Sequence, residues 1–202
     1  MILNPEYWLL NTALAEPTKE VLQAPRRSSS MTCESILSLG SNLGDRLGWL
    51  CAARAALAAL PGTRLTASSR VYETEPVDVP EAWRADGFLN AVVVVETALA
   101  VEAFSDAIHA IETALGRTRG SERHAPRTVD IDILSFGDLI SDRPNLRLPH
   151  PGWARRRFVC APLADVRPDL VLPGQTRPVS AILAALPSGP AAIPAARQWE
   201  GT

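Results

Sequence analysis

The ten residues FLNAVVVVET, from Phe88 to Thr97, constrain the fold of this chain more than any other stretch. Four consecutive valines branch at Cβ, which narrows χ1 and favours extended backbone. A β-branched run this continuous suits a strand at the centre of a sheet. Its neighbours supply partners. ESILSLG (34–40) reads as a short apolar strand ending in glycine, and TRLTASSRVYET (63–74) as a strand with rough alternation. A turn-rich stretch, 75–87, separates that strand from the valine run, and loops of this length are often functional. Alanine and leucine fill a predicted helix from Arg46 to Leu60, with Asp45 as N-cap and Pro61-Gly62 as the stop. A second helix is predicted from Val101 to Leu115, because Phe104, Ile108, Ile111 and Leu115 share one face and Gly116 follows. A further strand runs through Asp130 and Asp132 to the Gly137-Asp138 turn.

The order β-α-β-β-α-β predicts an α+β, ferredoxin-like core, an antiparallel sheet with helices packed on it. After it come a short returning strand, the proline-rich RPNLRLPHPG, short helices within WARRRFVCAPLADV, and a last helix VSAILAAL. The 202 residues fit one domain with appended tails, expected over 34–187. Residues 1–33 read as an N-terminal extension, disordered or the product of a misassigned start ahead of Met31, because 17–33 have linker composition. Residues 188–202 form a Pro/Ala-rich tail with little expected structure.

Cys33, Cys51 and Cys160 are odd in number and far apart, which suits a reducing cytoplasm and neither a disulfide framework nor zinc spacing. The N-terminus lacks a basic segment followed by an apolar one, so no signal peptide is expected, and no apolar run reaches the roughly 18 residues of a membrane helix. A net charge of −2 argues against a generally basic nucleic-acid binder.

The stretch ERHAPRTVDIDILSFGD (122–138) carries the chemistry. On a strand Val129, Ile131 and Ile133 share one face, and Asp130 and Asp132 the other. Two like charges there repel unless something cationic sits between them. Taken alone, the pair is either the acidic outer face of a half-buried strand or a cation site. Arg117, Arg119, Arg123 and Arg127 precede it, and His150, Arg155, Arg156 and Arg157 follow. Arginine forks match phosphate oxygens, and carboxylate pairs bind the Mg²⁺ that phosphates also bind. The combination points to a metal-bound polyphosphate. Neither a GxxxxGK[ST] loop nor a Rossmann GxGxxG is present, so neither common phosphate cradle is used.

SLGSNLGDR, SSRVYETEP, FLNAVVVVET, IETALGRTR, RHAPRTVDIDIL, LPHP and RRFVCAPLADVRPDLVLP occur in this order. Over about residues 35–187 the chain thereby resembles the 6-hydroxymethyl-7,8-dihydropterin pyrophosphokinases of the folate pathway. The resemblance implies transfer of pyrophosphate from ATP to the hydroxymethyl group of the pterin, giving AMP, by a cytoplasmic monomer that needs no nucleic acid and no membrane. It implies two Mg²⁺ ions on Asp130 and Asp132, and phosphate-gripping cations in Arg117, Arg119, Arg127 and Arg156. Phe88 and Phe158 would sandwich the pterin ring, with Asn90, Thr74 and Val77 reading its polar edge. His109, Glu112, His124 and His150 would face the nucleotide, and the loops 75–87 and 116–127 would close to exclude water. Four positions depart from the family's pattern: His109 for a common glutamine, His124 for a tryptophan of some members, Asp78 for a usual glycine, and Gly152 for a common basic residue. The alternatives are a paralogue with shifted substrate, or a non-catalytic pterin- or nucleotide-binding module. An RNA-binding domain of the same fold is disfavoured by the acidic pair and by the lack of aromatic RNA-binding strands.

Overall fold

The valine run forms β4 (Phe88–Thr97), the longest strand, and it lies at the centre of the main sheet. The computed structural model describes residues 32–75, 87–117, 127–187 and 192–199, all within the unit Met31–Thr202. β1 (Cys33–Ser41) pairs with one side of β4, and β5 (Asp130–Phe136) pairs with the far side of β1. The other side of β4 is shared by β2 (Thr63–Ser68) and β3 (Tyr72–Thr74). Every pairing is antiparallel. With α1 (Arg46–Ala58) between β1 and β2, and α2 (Val101–Ala114) between β4 and β5, this is the expected ferredoxin-like core. A hairpin of β6 (Ser141–Arg143) and β7 (Leu146–Leu148) follows, then a 3₁₀ turn at Trp153–Arg155, α3 (Arg157–Val166) and α4 (Val179–Ala185).

Both faces of the sheet are covered, which is why the valine run does not alternate with polar residues. Leu89, Ala91, Val93 and Val95 join one core with Leu50 and Leu57 of α1 and Phe104 and Ile108 of α2. Val92 and Val94 join a second core with Ile36 of β1, Leu134 of β5, Val159, Cys160 and Leu163 of α3, and Ile182 of α4. The acidic strand divides as its period predicts, with Val129, Ile131 and Ile133 in the first core. Leu37 then pairs with Ile133 while Ile36 pairs with Ser135. Leu134 is the extra residue of this bulge, and the shift of phase lets Phe136 return to the first core.

The stretch 63–74 is two strands rather than one. Between Ser68↔Val93 and Tyr72↔Asn90, three residues on this side answer two on β4. The Ser69 hydroxyl fills the break by accepting from Val92 N–H at 2.9 Å, while Ser69 N–H donates to Val92 C=O at 2.9 Å. The C-terminal tail also differs from expectation over 192–199. There β8 (Ala192–Pro194) adds an edge strand to β3, a position at which a proline costs no ladder bond. Gln198 grips the backbone of Val71, accepting from its N–H at 2.7 Å and donating to its C=O at 3.1 Å. Trp199 donates to Ser69 C=O at 2.6 Å and lies beneath the Arg54 guanidinium, 5.1 Å from the ring centre. Asp45 caps α1 as expected, accepting from Gly48 N–H at 3.1 Å. Among the described residues no helix is long and apolar enough to cross a membrane. Residues 1–31 lie outside the described residues.

Candidate active site

Among the described residues, Phe88, Asn90, Asp130 and Asp132 lie on the sheet face that carries the second core, beyond the edge of that core. Strand periodicity places Phe88 and Asn90 on the same face as Val92 and Val94. Register aligns the rest: Gly40 pairs with both Asn90 and Asp130, and Ser38 with both Val92 and Asp132. An amide and a carboxylate therefore flank β1, two strand spacings or about 10 Å apart. Gly40 keeps the trough between them open, since a Cβ there would lie 3.2 Å from Asn90 Oδ1.

On the amide side, Asn90 and Thr74 are each 5% exposed, and Asn90 Nδ2 donates to Thr74 Oγ1 at 2.8 Å. Phe88 pairs with Thr74 and is half-buried. Phe158 enters on the first turn of α3, also half-buried, with the Arg156 guanidinium 5.8 Å from its ring centre. The one ring–ring contact among the described residues is Phe104–Phe136, so Phe88 and Phe158 do not pack on each other. Arg46 ties both flanks of the 75–87 stretch, donating to Gly87 C=O at 2.7 Å and pairing with Glu73 at 3.0 Å.

On the acidic side, Asp130 pairs with Arg127 at 2.8 Å and with Arg117. Arg117 also pairs with Glu112, which is 2% exposed and accepts from Ile131 N–H at 2.8 Å. Burial pushes the Glu112 carboxyl above the ordinary range, and the Ile131 N–H and Arg117 pull it back. Burial works against the Arg117 charge, yet Asp130 and Glu112 outweigh it and bind the proton more tightly. Asp132 keeps 44% of its side chain exposed. Crowding by the protein around it and then the negative charge of Asp130 still hold its carboxyl above the usual range. Its neighbour His150, at 3.9 Å, is pushed down by burial and is neutral at pH 7, with Nδ1 buried and unpartnered. Among the described residues no group of three or more metal-binding side chains forms a complete cage. Two adjacent carboxylates still suit Mg²⁺, which takes one or two of them and completes its shell with water and substrate phosphates.

Thr74, Phe88, Asn90 and Phe158 thus gather on one side of β1, and Arg117, Arg127, Asp130, Asp132, Glu112 and His150 on the other. His109 is exposed on α2, one turn ahead of Glu112. Val77, Arg119 and His124 lie outside the described residues, as does most of the 75–87 and 116–127 loops. The site also uses residues the sequence did not single out. Asn42, 2% exposed, accepts from Arg127 N–H at 2.9 Å and donates its own N–H to Arg127 C=O at 3.3 Å, which sets Arg127 against Asp130. Its signal in the sequence is a polar residue directly after a buried strand.

A model of the 7,8-dihydro-6-hydroxymethylpterin-pyrophosphokinase family matches residues 36–168. The chain is 44% identical over 142 residues to the 2-amino-4-hydroxy-6-hydroxymethyldihydropteridine pyrophosphokinase of Methylorubrum extorquens, covering 69% of this chain and 86% of that protein. Identity to the protein of the same name from Pseudomonas aeruginosa is 42% over 151 residues, covering 75% and 90%. Among solved structures, the wild-type HPPK-DHPS of Plasmodium falciparum with pteroate superposes with a TM-score of 0.58 at 16% identity. That likeness covers 76% of this chain and 42% of the longer one, and it shows the fold.

Proposed function

The chain belongs to the 7,8-dihydro-6-hydroxymethylpterin-pyrophosphokinase family, and from that premise we propose that the trough across β1 is its active site. The reaction is pyrophosphate transfer from ATP to the hydroxymethyl group of 6-hydroxymethyl-7,8-dihydropterin in folate biosynthesis. The observation that carries the assignment of the site is the register. Gly40 sets a buried amide with two aromatic neighbours on one side of β1, and a carboxylate pair with two arginines on the other. A flat heterocycle and a polyphosphate are bound by those two kinds of surface.

In this reading Phe88 and Phe158 take the faces of the pterin, and Asn90 with Thr74 and Val77 reads its edge. Burying an amide and a hydroxyl here demands partners of matching polarity, which the pterin edge supplies. Arg117, Arg119, Arg127 and Arg156 grip the triphosphate, and Glu112 holds Arg117 in place from behind. His150, neutral and with a free ring nitrogen, adds a hydrogen bond to a phosphate oxygen, and His109 and His124 line the nucleotide side. Asp130 and Asp132 would hold Mg²⁺, which when bound polarises the phosphates and offsets their charge. The pterin hydroxyl oxygen attacks the β-phosphorus, the bond to the α-phosphate oxygen breaks, AMP leaves and the hydroxyl proton passes to solvent. Positioning and fixed positive charge carry the rate, and no covalent nucleophile is used.

We place the activity in residues 34–187, in the cytoplasm and without nucleic acid. The three cysteines are free, and one copy of the chain supplies every group named, so a monomer suffices. The test is the nucleotide product. With ATP, Mg²⁺ and the pterin, AMP should appear in equal amount with pterin diphosphate, and EDTA should stop it without unfolding the protein. ADP as the main product, or untouched ATP beside a tightly bound pterin, would overturn the assignment.

A further inference from the structure

A polar cluster that none of these roles uses joins the far end of α3 to the sheet. Asp165 accepts from Arg70 N–H at 3.2 Å, from Arg70 Nε at 3.1 Å and from Arg70 Nη2 at 2.8 Å. The Tyr72 hydroxyl sits 2.9 and 3.0 Å from the two carboxylate oxygens and accepts from Arg70 Nη2 at 2.9 Å. Tyr72 is 5% exposed. It pairs across the ladder with Asn90, and strand periodicity puts it on the same face as Thr74. Asp165 lies seven residues after Phe158 on α3, nearly two full turns, so both project from one side of the helix. The carboxylate that docks on β3 and the ring that faces β4 therefore belong to the same helix face.

We propose that Tyr72 and Asp165, assisted by Arg70, are positioning residues for the pterin: they fix the height of α3 above β3 and β4, and so the gap between Phe158 and Phe88. The inference rests on the reading of those two rings as the pterin's faces. A planar ring held between two others needs a gap of about 7 Å, twice the optimal carbon–carbon contact. Opening one contact by ~0.5–1 Å forfeits a quarter to a half of its dispersion energy. The apolar residues beneath α3 hold it on the sheet through many undirected contacts, and a carboxylate held by three N–H groups and a hydroxyl adds one contact of fixed direction at the far end of the helix. With the Arg70 side chain 58% exposed, its ion pair with Asp165 adds little net stability, which leaves geometry as its contribution.

Calorimetric titration of Tyr72→Phe, Phe158→Ala and the double variant tests this, with the pterin added to protein saturated with a non-hydrolysable ATP analogue and Mg²⁺. The analogue is titrated separately and melting temperatures are recorded. Tyr72→Phe keeps the ring and removes only the hydroxyl. It should weaken pterin binding by about tenfold, as small misplacements do at shaped sites, and leave analogue binding within about twofold. In the Phe158→Ala background the same change should add nothing, since the bracket acts through that ring. Unchanged pterin affinity in Tyr72→Phe, with a clear loss in Phe158→Ala, would overturn the bracket and spare the ring assignment. No loss in Phe158→Ala would overturn both. Equal weakening of both ligands together with a lower melting temperature would reduce the cluster to a structural tie and overturn its positioning role.

Discussion

Asp130 and Asp132 stand on one face of β5 with Ser38 and Gly40 opposite them, so the strand aligns two carboxylates with few groups between. Asp130 is neutralised by Arg117 and Arg127, while Asp132 has a neutral imidazole as its nearest partner. Stability and chemistry therefore pull in opposite directions at residue 132. Asp132→Asn removes a repelled charge from a crowded site, and the metal-free protein should melt at the same temperature or higher. Its turnover should fall by at least ~100-fold, because a carboxamide does not hold Mg²⁺ as a carboxylate does. Thermal melts without metal, set beside steady-state rates with it, check both halves. A variant that melts lower, or that keeps near-normal turnover, would contradict this account.

Between elements, the side chain with most at stake is Glu112. It reaches from α2 to the backbone of β5, accepting from Ile131 N–H, and it pairs with Arg117 just past the helix end. The tie stands immediately behind Asp130, so the register of α2 on β5 and the placing of the arginine are a single contact. Glu112→Ala would leave a buried N–H without an acceptor and Arg117 without one of its two partners. With Asp130 still paired to Arg117, the loss is mainly that of the unsatisfied N–H, about 1–3 kcal/mol. Glu112→Gln keeps an acceptor for Ile131 N–H and should cost clearly less. Urea unfolding of both variants separates the cases, and equal losses would show that the buried charge rather than the hydrogen bond matters.

For the whole molecule, the two ends of the chain are predicted to differ. A chain starting at Met31 should fold and turn over as the full one does, because residues 1–30 carry no motif of the family and end in linker composition. A chain stopped after Pro187 should be less stable. It loses the β8–β3 pairing, the Gln198 grip on Val71 and the Trp199 bond to Ser69. At a net ~1 kcal/mol for each, the Gln198 and Trp199 bonds alone account for roughly 3 kcal/mol, before the strand pairing is counted. The corresponding fall in melting temperature is at least about 6–12 °C. Scanning calorimetry of the two truncations beside the full chain tests both. A lower melting temperature for the first, or an unchanged one for the second, would reverse the assignment of the ends.

What the sequence determined by itself was whatever depends on neighbours along the chain. Four adjacent valines favour a strand wherever they are placed, the period of two sends Asp130 and Asp132 to the face opposite Ile131, and Asp45 can cap a helix beginning one residue later. The ferredoxin-like order followed from these local terms, while the proposed roles of the site residues came from the resemblance that the motifs carry. Contacts between distant segments had no such signature. A Pro/Ala-rich tail reads as unstructured until an unpaired β3 edge and the open backbone groups of Val71 give it something to bind. A serine whose hydroxyl stands in for a ladder bond looks like any residue of a continuous strand, so the break at Ser69 stayed hidden. Asn42 and Asp165 take their meaning from Arg127 and Tyr72, 85 and 93 positions away, and only folding brings those groups within a hydrogen bond's reach.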